Sequence, residues 1–97
     1  MKKEAELDGW SRLLRACRNL NRTDDFDRFF DLIFTPEEKI ALSARIMIFK
    51  GLIDQKRTQR DLSKDLGVSI AKITRGSNAI KRASEEEIKL LTRLFQS

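Results

Sequence analysis

Between Thr35 and Asp54 the chain is apolar on more than one side. Read as a helix over 36–54, the segment carries Leu42, Ile46, Phe49 and Ile53 along one row and Ala41, Ala44, Ile48 and Leu52 along another. A helix apolar over so much of its circumference must be covered from several directions. Other segments need cover too. Phe26, Phe29, Phe30, Ile33 and Phe34 crowd one short stretch, and Leu7, Trp10, Leu13, Leu14 and Cys17 stripe the segment before it. A chain of 97 residues buries only a modest share of its own surface. The pattern points to an obligate homodimer with much of its core formed between chains, against the alternative of a compact six-helix monomer.

The single proline and four glycines leave little room for a turn-rich β architecture, and abundant Glu, Lys, Arg, Leu and Ala favour helix. Several helix starts are marked. Thr35-Pro36-Glu37-Glu38 offers a threonine cap, proline at the first helical position and glutamate three residues after the cap. Thr58 with Asp61 and Ser84 with Glu87 repeat the signal, and Ser69 follows the turn residues Gly67-Val68. These signals predict helices near 7–22, 26–33, 36–54, 58–66, 70–81 and 84–95, in one all-α domain over 1–97. Residues 1–6 are charged and read as a loose N-terminal arm.

The net charge of +5 is unevenly placed. Residues 1–55 are balanced, residues 83–97 sum to −1, and residues 56–82 carry +6. Charge concentrated in this way is the footprint of a face that binds a polyanion. There is no apolar run of the roughly 18 residues a membrane span needs and no signal-peptide pattern, so a cytoplasmic protein with no membrane partner is expected. The lone Cys17 allows no intrachain disulfide. With no histidine, no tyrosine and no metal-ligand cluster, neither a metal nor a catalytic cofactor is expected, and the chain does not read as an enzyme.

The basic stretch coincides with Gln59–Ile80, QRDLSKDLGVSIAKITRGSNAI. Leu62 and Leu66 give one short helix an inner face, Gly67 sits where the chain must leave it, and Ile70, Ile73 and Ile80 mark the next helix. Small Ser63 allows close approach. This is the pattern of a helix-turn-helix over 58–81. Its second helix would present Ile70, Ala71, Lys72 and Thr74 to base edges in the major groove of duplex DNA. Gln59, Arg60, Lys64, Asn78 and Lys81 suit phosphate contacts.

Gly76 interrupts the second helix where a bulky aliphatic would be expected between Ile73 and Ile80. Arg45 is the one charge in the otherwise mostly apolar run Ile40–Phe49, and an arginine buried there would need a partner. Two readings stay open. A missing side chain beside Arg75, with Arg45 nearby, could form a slot for a flat anionic molecule that stacks on guanidinium planes. Alternatively, Gly76 permits close helix packing and Arg45 pairs with an acid.

The string ITRGSN, Ile73 to Asn78, within QRDLSKDLGVSIAKITRGSNAIK resembles the signature of the tryptophan repressor family. The resemblance runs back through TPEEKIALSARI, Thr35 to Ile46, to Trp10, about nine-tenths of the chain. It implies an intertwined, all-helical, six-helix homodimer that represses transcription when L-tryptophan binds as corepressor. It further implies that Arg45 and Arg75 sandwich the indole ring, with Arg75 also meeting the carboxylate and Thr35 assisting. The partner's backbone near Leu32 and Phe34 receives the ammonium, and Gly76 gives the indole room. Three positions depart from the family: Ala79 replaces a serine near the ammonium, Phe49 replaces a smaller aliphatic lining the pocket, and Ser63 replaces a phosphate-contacting lysine.

An L-tryptophan-dependent repressor of pseudo-palindromic operator DNA is therefore expected. The alternatives are a DNA binder that is corepressor-independent or answers to another aromatic ligand, and a helical module whose basic stretch docks an acidic protein.

Overall fold

The computed structural model describes residues 1–96, which form six helices and no strand. The chain divides into two units, the first Met1–Glu37 and the second from Glu38 onward.

In the first unit, α1 spans Lys3–Arg18 and α2 spans Thr23–Ile33. Helix α1 starts within the segment expected to be a loose arm. Lys, Glu, Ala and Leu at 3–7 are all strong helix formers, and Glu4 and Glu6 lie in the first turn, where the helix dipole favours acids. The helix also stops four residues short of the expected end. Asn19 closes it by donating its side-chain amide to the Arg15 carbonyl at 2.9 Å. Helix α2 begins earlier than its apolar row suggests because Asp24 and Asp25 occupy its first turn.

Phe30 contacts the rings of Phe26, Phe29 and Phe34, with centroids 5.5–6.0 Å apart and tilted planes. Between the two helices lies an open groove of about 570 Å³, walled by Gly9, Trp10, Leu13 and Ala16 on one side and Phe29 and Ile33 on the other. No residue of either helix is fully buried, and Trp10 is 62% and Leu32 85% exposed.

Helix α3 spans Pro36–Asp54, all but its first two residues in the second unit, which also holds α4 Gln59–Leu66, α5 Ile70–Arg82 and α6 Glu85–Phe95. The core of that unit is a small knot: Ile48 of α3, Leu62 of α4 and Ile73 of α5, with Leu52, Leu66 and Val68 packed around it. Gly51 lets α4 come this close. A Cβ there would lie 2.5 Å from Leu62 Cδ1. The expected caps are present: Thr58 Oγ1 accepts from Asp61 N–H, Ser69 Oγ from Lys72 N–H, and Ser84 and Glu87 form a reciprocal capping box.

Helix α3 ends at an unusual residue. Gln55 adopts φ 55°, a left-handed conformation that costs a side-chain-bearing residue roughly 1–2 kcal/mol. Glycine avoids that cost but gives back about 0.5–1 kcal/mol in unfolded-state entropy. Gln55→Gly is therefore expected to stabilise by up to about 1 kcal/mol, raising the thermal midpoint by up to roughly 4–8 °C. Gln55→Ala should give no such gain in the same melting experiment.

The α4–α5 pair and the cavity beside it

Helix α4 ends in a tightly fastened turn. Gly67 takes φ 67° and ψ 35°, its N–H reaches the Lys64 and Ser63 carbonyls, and the Val68 N–H reaches the Ser63 carbonyl at 3.1 Å. This is the Schellman arrangement, and it requires the left-handed residue that glycine supplies. The Ser63 hydroxyl adds a further tie by donating to the Val68 carbonyl. The sequence marks Ser63 as small and as standing in place of a phosphate-contacting lysine; its hydroxyl also closes the turn. A second tie joins the two helices, the Gln59 side-chain amide donating to Ser77 Oγ at 3.2 Å. Arg57 pairs with Asp65 at 3.0 Å across α4, so one of the clustered cations is partly neutralised.

The face that this turn presents is the one the sequence marks. Ile70, Ala71, Lys72, Thr74, Asn78 and Lys81 are exposed along α5, while Ile73 and Gly76 are buried and Ile80 is half-buried. Gln59, Arg60 and Lys64 are exposed on α4, with Gln59 and Arg60 in its first turn. Unpaired N–H groups at such a turn, with a cation beside them, suit a phosphate oxygen. An exposed helix edge with short polar, methyl-bearing and cationic side chains suits the floor of a groove in duplex DNA.

Behind this face, α3 and α5 form the walls of a half-open cavity of about 230 Å³. Ala41, Leu42, Ala44, Arg45, Ile48 and Phe49 line it from α3, and Lys72, Arg75 and Gly76 from α5. Four of the expected ligand residues, Arg45, Phe49, Arg75 and Gly76, therefore share one site. The other three, Leu32, Phe34 and Thr35, belong to the first unit. There Leu32 is exposed on α2, Phe34 packs on Phe30, and Thr35 directly precedes α3.

Each of the two open readings holds in part. The space directly beside Gly76 is filled, as close helix packing requires, because a Cβ there would lie 2.9 Å from Ile48 Cγ2 and 3.2 Å from Leu52 Cδ1. Gly76 thus lets α5 pack closely on α3, and the cavity opens next to that contact. Arg45 is not a buried charge in need of an acid. It is exposed, with its guanidinium carbon 5.3 Å from the centroid of the Phe49 ring, within cation–π range.

Sequence reading missed the cavity's small-residue floor, Ala41 and Ala44, and the place of Lys72 in its wall. Alanines three apart in an otherwise bulky apolar row were the available signal for the first. The chemistry of the lining is one-sided: three cations, several apolar side chains and no acid. Such a set fits an anionic group attached to an apolar, flat body. Among the described residues no cluster of three or more His, Cys, Asp or Glu could hold a metal ion, and no helix is long and apolar enough to cross a membrane.

Comparison with known proteins agrees with this geometry. The family described as Trp repressor protein matches residues 8–95. A Trp operon repressor homolog of Chlamydia caviae is 38% identical over 81 residues, covering 84% of this chain and 80% of the relative. One of Vibrio atlanticus is 38% identical over 87 residues, covering 90% and 89%. One of Vibrio cholerae is 34% identical over 95 residues, covering 98% and 92%. A match from Asp8 to Phe95, taking in most of α1 and all of α2 to α6, means that the chain belongs to the Trp repressor family.

Proposed function

We propose that this protein is a cytoplasmic, L-tryptophan-dependent transcriptional repressor that acts as a homodimer on pseudo-palindromic operator DNA. One observation carries the reading: Arg45 and Arg75 line a single cavity whose other wall is the helix bearing the exposed, cationic face. The guanidinium planes of Arg45 and Arg75 flank the indole ring, and Arg75 meets the carboxylate. Lys72, at the cavity edge, adds positive potential. The relatives' printed names, Trp operon repressor homologs, support the same assignment.

The dimer is supported by what one chain leaves uncovered. Leu7, Trp10, Leu14, Leu32, Ile33, Ile40, Leu42 and Ile46 are all exposed, and only three hydrophobic residues are buried among those described. An apolar surface of that extent calls for a partner, and a second copy paired about a twofold axis supplies one. Two helix-turn-helix units related by that axis must meet successive major grooves about 34 Å apart, the spacing general to paired units of this type.

Ligand control then acts on pose. The α4–α5 pair is held to α3 by a small knot of side chains, so its tilt is a low-energy variable. Arg45 stands on α3 and Arg75 on α5, and a ligand gripped by both fixes the angle between those helices. It shifts the population toward the DNA-competent tilt only by its differential affinity for that state.

A gel-shift titration with a pseudo-palindromic operator duplex tests this directly. Operator binding by the purified protein is expected to tighten at least several-fold when L-tryptophan is added. Equal binding with and without it would reject the corepressor role, and no binding to any duplex at low salt would reject the DNA reading.

One observation favours a second reading. The Arg45 guanidinium already lies over the Phe49 ring at 5.3 Å, so the slot has an aromatic neighbour of its own. On that reading the protein binds operator without a corepressor or answers to a different aromatic acid. The same titration separates the two, with a panel of aromatic acids as competitors.

A further inference from the structure

Lys72 belongs to two surfaces at once. It lines the α3–α5 cavity together with Arg75 and Gly76, which follow it three and four residues along α5 and so share one side of the helix with it. It is also exposed in the first turn of α5, on the helix edge that suits a DNA groove. The backbone at Lys72 is tied down, because its N–H donates to Ser69 Oγ at 3.2 Å. The side chain has no such tie. Among the described residues it forms no ion pair, whereas Arg57 is held by Asp65 and Arg45 lies over Phe49.

The setting is also a poor one for a cation. Helices α1, α2, α4 and α6 each carry at least one acid in the first turn, and α5 carries none. The N-terminal end of a helix is partially positive, so an ammonium there is disfavoured unless an anion sits beside it. The cavity lining supplies no anion, since its charged residues are Arg45, Lys72 and Arg75.

We infer that Lys72 is a shared cation, one ammonium that holds the ligand carboxylate in the cavity and a DNA phosphate outside it at the same time. This rests on the ligand and operator roles proposed above and adds a link between them that does not depend on helix tilt. An ammonium has three N–H donors, enough for an oxygen of each anion. Its flexible four-carbon stem loses much freedom when ordered. Whichever anion binds first orders the side chain, and the second finds it in place. Each therefore binds more tightly in the presence of the other. The same ammonium offsets the repulsion between a carboxylate and a phosphate brought together at the rim of a half-open cavity.

The test is operator binding by fluorescence anisotropy, with and without saturating L-tryptophan, on full-length wild type, Lys72→Gln, Lys72→Arg and Lys64→Gln. Lys64 is an exposed cation of α4 that does not line the cavity, so its loss should weaken operator binding about equally with and without ligand. Both glutamine variants should lower the log–log salt slope by roughly one. Only Lys72→Gln is expected to cut the L-tryptophan-dependent gain, by about threefold or more, where such couplings span roughly 5–150-fold. Lys72→Arg keeps the charge and should keep the gain to within about twofold of wild type. A smaller cut in Lys72→Gln overturns the inference, as does an equal cut in Lys64→Gln. An equal cut in Lys72→Arg also overturns it, since the positive charge would then not be what links the two sites. A wild type with no response to L-tryptophan overturns the ligand role itself, a result read before any variant is compared.

Discussion

Arg75→Ala is expected to erase the L-tryptophan-dependent gain in operator binding while leaving weak, salt-sensitive binding to any duplex. Arg75 lines the cavity from α5, adjacent to the buried Gly76, and α5 is the helix whose pose matters. A charge-assisted hydrogen bond to a carboxylate contributes about 1.5–3 kcal/mol, and its loss alone corresponds to roughly 10–150-fold in ligand affinity. Loss of the guanidinium plane over the ring adds to that. Arg75→Lys keeps the charge but not the planar fork, so it should recover only part of the affinity. Calorimetry gives the ligand affinity and a gel shift gives the operator response. If Arg75→Ala retained a several-fold response to L-tryptophan, the cavity would not be the corepressor site.

Leu62→Ala is expected to be the most damaging single truncation in the second unit. Leu62 is 1% exposed and fills the space between α3 and α4 that Gly51 leaves open. Removing a buried leucine costs about 2–5 kcal/mol, the higher values where neighbours cannot collapse into the gap. Collapse is restricted here because α4 is already fastened to α5 through the turn and through Gln59 and Ser77. Against a typical total of roughly 5–15 kcal/mol, such a loss is a large fraction of stability. Urea denaturation should show the midpoint falling accordingly, and operator binding should weaken with or without ligand. A loss below about 1 kcal/mol would place the effective core elsewhere.

Much of this architecture was readable from local chemistry. Thr58, Ser69 and the Ser84–Glu87 pair cap helices where expected because capping depends on a few adjacent residues. Gly67 marks the turn for an equally local reason, since a left-handed backbone is cheap only there. The ends of α1 are not legible in apolar spacing, because Lys3, Glu4, Ala5 and Glu6 extend the helix by propensity and Asn19 stops it through its own side-chain hydrogen bond. At the site, the gathering of Arg45, Phe49, Arg75 and Gly76 was foreseen, but their packing was not. Whether a glycine opens a hole or admits a neighbouring helix depends on side chains from α3, and Ile48 and Leu52 are distant from it in sequence. The Arg45–Phe49 pair lies one helical turn apart and was within reach of spacing alone, had Arg45 been read as exposed.

The hydrogen bonds of Ser63, Gly67 and Val68, with the Gln59–Ser77 tie, weld α4 to α5 more firmly than either is joined to α3. Strain applied to one of these two helices is inherited by the other, so the pair behaves as a stiff lever rather than a flexible finger. A displacement where Arg75 sits is then expected to move Arg60 and Lys64 with it, so that on the proposed function the phosphate-facing and base-facing ends shift together.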